Sequence, residues 1–227
     1  MTSLDPDLVA ARVTAVRQRI VAVAGDRSVE VLAVTKGFGP EAVAIAASVG
    51  CPAIGENYAQ ELLTKTGVIA AAGVEVFFIG QLQTNKVRAL VGVVDVWASV
   101  DRPRLVAELA RRDPGARILI QVDATGEPGK GGAPVQDVPE LVAAAAAGGL
   151  RVEGLLTVGP TDGDAAATRA AFEATRRLVD DLGLTTCSMG MSDDLELAVA
   201  AGATQVRLGT ALFGPRSATP RVSQDQG

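Results

Sequence analysis

From residue 29 onward, short β-branched runs alternate with alanine-rich stretches of helical length, and each strand-like run is followed by a helix candidate. Strict β/α alternation implies a parallel sheet covered by helices. Strands are expected near residues 29–35, 52–54, 75–79, 95–98, 117–123, 152–157, 185–188 and 204–208, after an opening helix over about residues 6–24. Eight strand–helix units in 227 residues fit a closed (β/α)8 TIM barrel with an extra N-terminal helix, since roughly 250 residues is typical of that fold. A doubly wound open sheet is the alternative. No linker-like stretch divides residues 1–214, read as one domain, and the polar, Pro-punctuated segment 215–227 is expected to be a loose tail.

Composition removes several kinds of function. A formal net charge of -5 and only 3% aromatic residues supply neither a basic stripe nor stacking platforms, so nucleic acid is not an expected partner. The start, Met1 to Asp7, is acidic where a targeting peptide would be basic. No apolar run approaches the roughly 18 residues of a membrane span. A cytoplasmic location is therefore expected. Two cysteines and no histidine exclude a disulfide framework, imidazole-bound metal and Ser-His hydrolysis.

Parallel barrels carry their ligand sites at the carboxyl ends of the strands, and polar residues gather there. Lys36 ends the first strand, where alternation sets it on one face with Leu32 and Val34. On the eighth strand, Val206 and Leu208 suit the helix-facing side, which turns Gln205 and Arg207 inward. Gln121 and Asp123 turn inward likewise on the fifth. A lysine amine attacks an aldehyde only when neutral, and a barrel interior disfavours the charged form. Alone, Lys36 would read as a solvated strand-end residue and Arg207 as half of a structural ion pair. A phosphate-type turn at the same end of the barrel changes both readings.

That turn is supplied by Gly209 and Thr210, which come after the last strand and open a short helix, where backbone N–H groups and a hydroxyl can meet phosphate. Ser188, at the end of the preceding strand, can add a donor. Ser192 also suits an ordinary helix cap, with Asp193 and Asp194 in the first turn. An arginine facing a pyridine nitrogen stays charged and donates to it, leaving the nitrogen unprotonated. Lysine, arginine and phosphate cup together describe a pyridoxal phosphate site. The glycine-rich segment 125–132 fails as a P-loop, because Ala124 stands where the first glycine belongs and Gly131 where Ser or Thr should follow Lys130. A mobile loop over the barrel mouth is the expectation there, and Cys187 reads as a small buried hydrophobe.

The stretches Ala33-Val-Thr-Lys36, Gly55-Glu-Asn-Tyr58, Ile79-Gly-Gln-Leu-Gln-Thr-Asn-Lys86, Gly154-Leu-Leu-Thr157, Ser188-Met-Gly-Met-Ser-Asp-Asp194 and Val206-Arg-Leu-Gly-Thr-Ala-Leu-Phe-Gly214 resemble the pyridoxal phosphate homeostasis proteins of the YggS/PROSC family. That family has the barrel of the alanine racemase N-terminal domain. The resemblance implies pyridoxal 5'-phosphate held as an aldimine by Lys36, with Asn57 beside the ring and Arg207 at the pyridine nitrogen. It gives the phosphate to Ser188, Gly209 and Thr210. Two departures are visible: Gln81 where the family usually has histidine, and Val76-Phe77 where it has an aromatic-histidine pair.

The expected function is intracellular pyridoxal phosphate homeostasis without substantial catalysis, by a monomer that passes cofactor transiently to apo-enzymes. An amino-acid racemase is the alternative. It would need a second base, which related racemases bring from a C-terminal domain; this chain is expected to end soon after its eighth strand, and its only tyrosine, Tyr58, belongs to the second strand–helix junction.

Overall fold

A proline at the first position of a helix loses no hydrogen bond, because that N–H has no intrahelical acceptor. Pro6 opens α1 (Pro6–Ala24) in this way, and the Asp5 carboxylate before it accepts from the amides of Asp7 and Leu8. The computed structural model describes residues 4–215. The strands after α1 are β1 (Glu30–Val34), β2 (Ala53–Glu56), β3 (Glu75–Phe78), β4 (Val96–Val100), β5 (Arg117–Asp123), β6 (Ala133–Pro134), β7 (Arg151–Thr157), β8 (Thr186–Ser188) and β9 (Gln205–Leu208). All pairings are parallel, β1 bonds both β2 and β9, and β4 bonds β5, so eight strands close into a ring. Closure decides against the open sheet.

The two-residue β6 is an addition that the alternation pattern does not announce. It pairs with β5 beside the ring, through Val122↔Ala133 and Asp123↔Pro134. Gly132 makes the approach possible: its φ of +135° suits only glycine, and a Cβ there would press on the Asp123 backbone.

Helices α2 (Pro40–Ser48), α3 (Ala59–Thr64), α4 (Thr66–Ala72), α5 (Thr84–Leu90), α6 (Pro103–Arg112), α7 (Val138–Ala147), α8 (Ala165–Asp181), α9 (Leu195–Ala200) and α10 (Thr210–Phe213) fill the crossovers. Between β2 and β3 the helix breaks in two at Lys65, which ends α3 and precedes α4. Proline at the start of α2, α6 and α7 marks three of the boundaries.

Period-two alternation sorts the strand residues between two separate cores. Outward side chains, among them Val31, Ala33, Ile54, Trp97, Ile118, Ile120, Val206 and Leu208, pack with the helices. Trp97 is sealed there, and its indole N–H donates to Asp113 at 2.9 Å. Inward, Leu32, Ala53, Phe77, Val96, Ala98, Leu119 and Leu156 fill the lumen. At its amino-terminal floor Arg117 ties together Glu75 at 2.5 Å and Glu153 at 2.6 Å. The apolar lumen residues come from β1 to β5 and β7. Strands β8 and β9 contribute buried Ser188, Gln205 and Arg207 instead, so one wall of the lumen is polar.

Candidate functional site

Register aligns this polar wall. Glu30 lies level with Gln205 and Leu32 with Arg207 across β1 and β9, and Ser188 is level with Gln205 across β8 and β9. Gln205 Nε2 donates to Glu30 at 3.3 Å, and Ser188 Oγ donates to Gln205 Oε1 at 2.8 Å. Arg207 Nη1 donates to the Ser188 carbonyl at 2.6 Å and to Ser188 Oγ at 3.1 Å, and Nη2 to the Thr157 carbonyl at 2.7 Å. Among the described residues Arg207 has no ion pair, so the structural pairing that it suggests in isolation is absent. Burial pushes its guanidinium down to about 10, against the pull of Asp194, which favours the charge.

Lys36 stands just past the end of β1, partly buried, and both of its neighbours are fastened to one ionic cluster. The Lys65 ammonium, 1% exposed, donates to Glu56 Oε1 at 2.6 Å, to Glu61 Oε1 at 2.7 Å and to the Thr35 carbonyl at 2.9 Å. Thr35 Oγ donates to Glu56 Oε1 at 2.6 Å, and the Gly37 amide donates to Glu61 Oε1 at 2.7 Å. Thr35 and Gly37 are thus held through Glu56, Lys65 and Glu61, which fixes where the Lys36 side chain starts. Burial raises the Glu56 carboxyl above its ordinary value, with Lys65 opposing, and Glu56 Oε2 is buried without a partner.

Asn57 follows β2, and its buried Oδ1 also lacks a partner. Its backbone is pressed by Gly80 after β3, where a Cβ would collide with the Asn57 carbonyl. Ser99 Oγ holds the Gly80 carbonyl at 2.5 Å from below.

Past the end of β9, on the other side of β1, Gly209 precedes α10 as expected, and Thr210 is exposed. Ser192 Oγ accepts from the Ala211 amide at 3.2 Å, which brings this hydroxyl to the start of α10. The cap of α9 is therefore not Ser192: Asp194 occupies that position, and its carboxylate accepts from the Met191 amide at 2.5 Å. The segment 125–132, expected to be a mobile loop, is tied by several side-chain hydrogen bonds. Lys130 Nζ donates to the Gly159 carbonyl and lies 3.2 Å from Glu127, whose carboxylate also takes the Thr161 amide and hydroxyl. Gln121 Nε2 holds the Gly131 carbonyl at 2.7 Å.

Lys36, Asn57, Arg207, Gly209 and Thr210 all lie on β1, β2 and β9 or just past their carboxyl ends, three strands adjacent in the ring. Ser188 lies one strand further, at the end of β8, with its hydroxyl engaged by Gln205 and Arg207. Sequence reasoning missed the roles of Lys65, Glu56 and Ser192; only the two polar residues of Gly55-Glu-Asn-Tyr58 hinted at the cluster. Cys187 is sealed as expected, its thiol pushed up to about 11 by burial. No three His, Cys, Asp or Glu among the described residues are grouped to hold a metal, and none of the described helices is long and apolar enough to cross a membrane.

Residues 4–217 match the family of the alanine racemase N-terminal domain. A pyridoxal phosphate homeostasis protein of Pseudomonas aeruginosa is 40% identical over 196 residues, covering 83% of this chain and 85% of that one. The chain belongs to the pyridoxal phosphate homeostasis branch of this family. The Escherichia coli K12 member is 36% identical over 204 residues, with 83% and 86% coverage. Among solved structures, Synechococcus elongatus PipY with pyridoxal phosphate bound superposes with a TM-score of 0.78 at 31% identity, over 91% of this chain and all of that one. Corynebacterium glutamicum alanine racemase, at 21% identity and a TM-score of 0.69, shares the barrel over 94% of this chain and 62% of its own. This last likeness speaks for the fold alone.

Proposed function

We propose that the chain binds pyridoxal 5'-phosphate at the barrel mouth and serves its homeostasis, holding and releasing the cofactor rather than converting a substrate. The observation that carries this is Arg207: a guanidinium sealed in the lumen, hydrogen-bonded to two carbonyls and a hydroxyl but, among the described residues, to no carboxylate. A buried cation so arranged suits a neutral aromatic acceptor better than a structural partner. The buried, unpartnered Asn57 Oδ1 is a second group that a ligand would satisfy. The relatives' names and the ligand of PipY support the same reading.

Bound here, the cofactor supplies an electrophilic aldehyde and an electron-withdrawing ring. Lys36 would be the residue that tethers the aldehyde, through its amine. Asn57 would lie beside the ring, and Arg207 would keep its protons and donate to the ring nitrogen, which would leave the ring a weak electron sink. Gly209 and Thr210 offer amide and hydroxyl donors to the phosphate. Ser192 joins them there, while Ser188, whose hydroxyl already serves Gln205 and Arg207, acts on the ring side through Arg207.

The absence of histidine from all 227 residues removes the most usual general base. Work as a cytoplasmic monomer, with apo-enzymes as transient recipients, completes the reading. Borohydride reduction of protein incubated with pyridoxal phosphate should fix label on the peptide containing Lys36, and Lys36→Ala should abolish it. Loaded protein should activate an apo-transaminase and leave L- and D-alanine unracemised. Label confined to Lys86 or Lys130 would refute the Lys36 assignment, and racemisation at an ordinary enzymatic rate, on the order of 1–10³ s⁻¹, would refute the homeostatic role.

A further inference from the structure

The hydrogen bonds joining the barrel floor to Arg207 have a direction, and that direction is set at the floor. A carboxylate only accepts, so Glu30 obliges Gln205 to turn its NH₂ group downward. The amide oxygen then faces Ser188 and takes the single hydroxyl proton. What the Ser188 hydroxyl can present to Arg207 Nη1 is a lone pair. A reversed Gln205 amide would set its oxygen against the Glu30 carboxylate and leave the Ser188 hydroxyl accepting from two donors, which would make it a weaker acceptor for Arg207.

We propose that Gln205, oriented by Glu30, is a positioning residue that fixes Arg207 by taking the Ser188 hydroxyl proton, which polarises that hydroxyl as the acceptor of Arg207 Nη1, so that the guanidinium is held where it can donate to a pyridine nitrogen. This rests on the reading of Arg207 as the partner of the cofactor ring. The logic is one of dipoles in place of a counter-ion. A carboxylate beside Arg207 would neutralise it and compete for its N–H groups. Two carbonyls and an oriented hydroxyl stabilise the charge while leaving it available. Gln205 is buried at 2% exposure and has a defined partner at each end of its amide, so it cannot turn without setting its oxygen against the Glu30 carboxylate.

The test uses the full chain loaded with pyridoxal phosphate labelled with ¹⁵N in the ring, in wild type, Glu30→Gln, Gln205→Leu, Ser188→Ala and the Gln205→Leu/Ser188→Ala double variant. Glu30→Gln matters because an amide at position 30 both donates and accepts, so it no longer imposes a direction. The cofactor should remain trappable at Lys36 in every variant. The ring-nitrogen resonance should move from its wild-type position in each, and affinity should fall about tenfold, as for loss of one hydrogen bond to a charged group. The double variant should move the resonance no further than Ser188→Ala alone, because the links act in series. An unmoved resonance in Glu30→Gln and Gln205→Leu, or additive shifts in the double variant, would overturn the proposal. Failure of the wild type itself to be trapped at Lys36 would instead overturn the functional reading. Should Gln205→Leu fail to fold, Glu30→Gln, size-matched and on the exposed floor, decides alone.

Discussion

Lys65 and Arg207 are both nearly sealed from solvent, at 1% and 5% exposure, yet only Lys65 has carboxylates within ion-pair reach. The lysine sits behind the barrel wall, between β2 and α3, with Glu56, Glu61 and a carbonyl around it. The arginine sits inside the lumen and is solvated by groups that carry no formal charge. Taking an ion out of water costs several kcal/mol, which a well-placed counter-ion can offset. The first site follows that rule and reads as architecture. The second offsets the cost with hydrogen bonds alone, an arrangement consistent with the proposed contact to a ligand.

If the distinction holds, deleting each cation should have unlike consequences in cofactor-free protein. Lys65→Met leaves Glu56 buried and unpaired and should lower stability by about 3–5 kcal/mol, measured from denaturant unfolding. Arg207→Met loses hydrogen bonds but also removes a buried charge that has no counter-ion among the described residues, and should change stability by no more than about 1 kcal/mol while sharply weakening pyridoxal phosphate binding. Equal losses in the two variants would erase the contrast.

A second substitution sharpens it. Lys65→Met combined with Glu56→Leu removes both opposite charges, and should recover about 2 kcal/mol of what the single variant lost. No recovery would mean that the cost of Lys65→Met comes from packing.

The smallest expected effect is on the pH profile. Glu56 has an ordinary value of 4.5, raised in the folded protein by burial. Between the unfolded value and the raised one, the native state holds a proton that the unfolded chain has released. The contribution of Glu56 is therefore fully present below the unfolded value and is lost as pH rises through the folded one, by at most about 1.4 kcal/mol per pH unit. Glu56→Gln should flatten that part of the stability curve; an identical curve would assign the slope to other groups.

The barrel itself was legible because it repeats. Eight β-branched runs at regular spacing announce a ring, and alternation with the helix-facing Val206 and Leu208 assigns Gln205 and Arg207 to the lumen. The two-residue β6 escaped because Ala133-Pro134 is too short to show a period. The ionic cluster escaped for a different reason. Lys65 meets Glu56 and Thr35 only after β2 and α3 have been folded back beside β1, and nothing in the local pattern of α3 marks Lys65 as buried. Ser188 was legible as a polar residue at a strand end but not as the middle of a chain of hydrogen bonds. Its partner is set by the β8–β9 register, which a sequence of three strand residues does not specify. The expected loose tail lies outside the described residues from 216 onward.

Trp97 gives the barrel a built-in reporter. It is the single tryptophan, and Tyr58 the single tyrosine. The indole lies on the outer face of β4, with the barrel wall between it and the lumen, held by Asp113. An emitting indole and a coloured pyridoxal ring tethered at the proposed site would form a donor–acceptor pair. Loading of the mouth should therefore quench the tryptophan by resonance energy transfer, and departure of the cofactor toward a recipient should restore the emission in real time, without any added label.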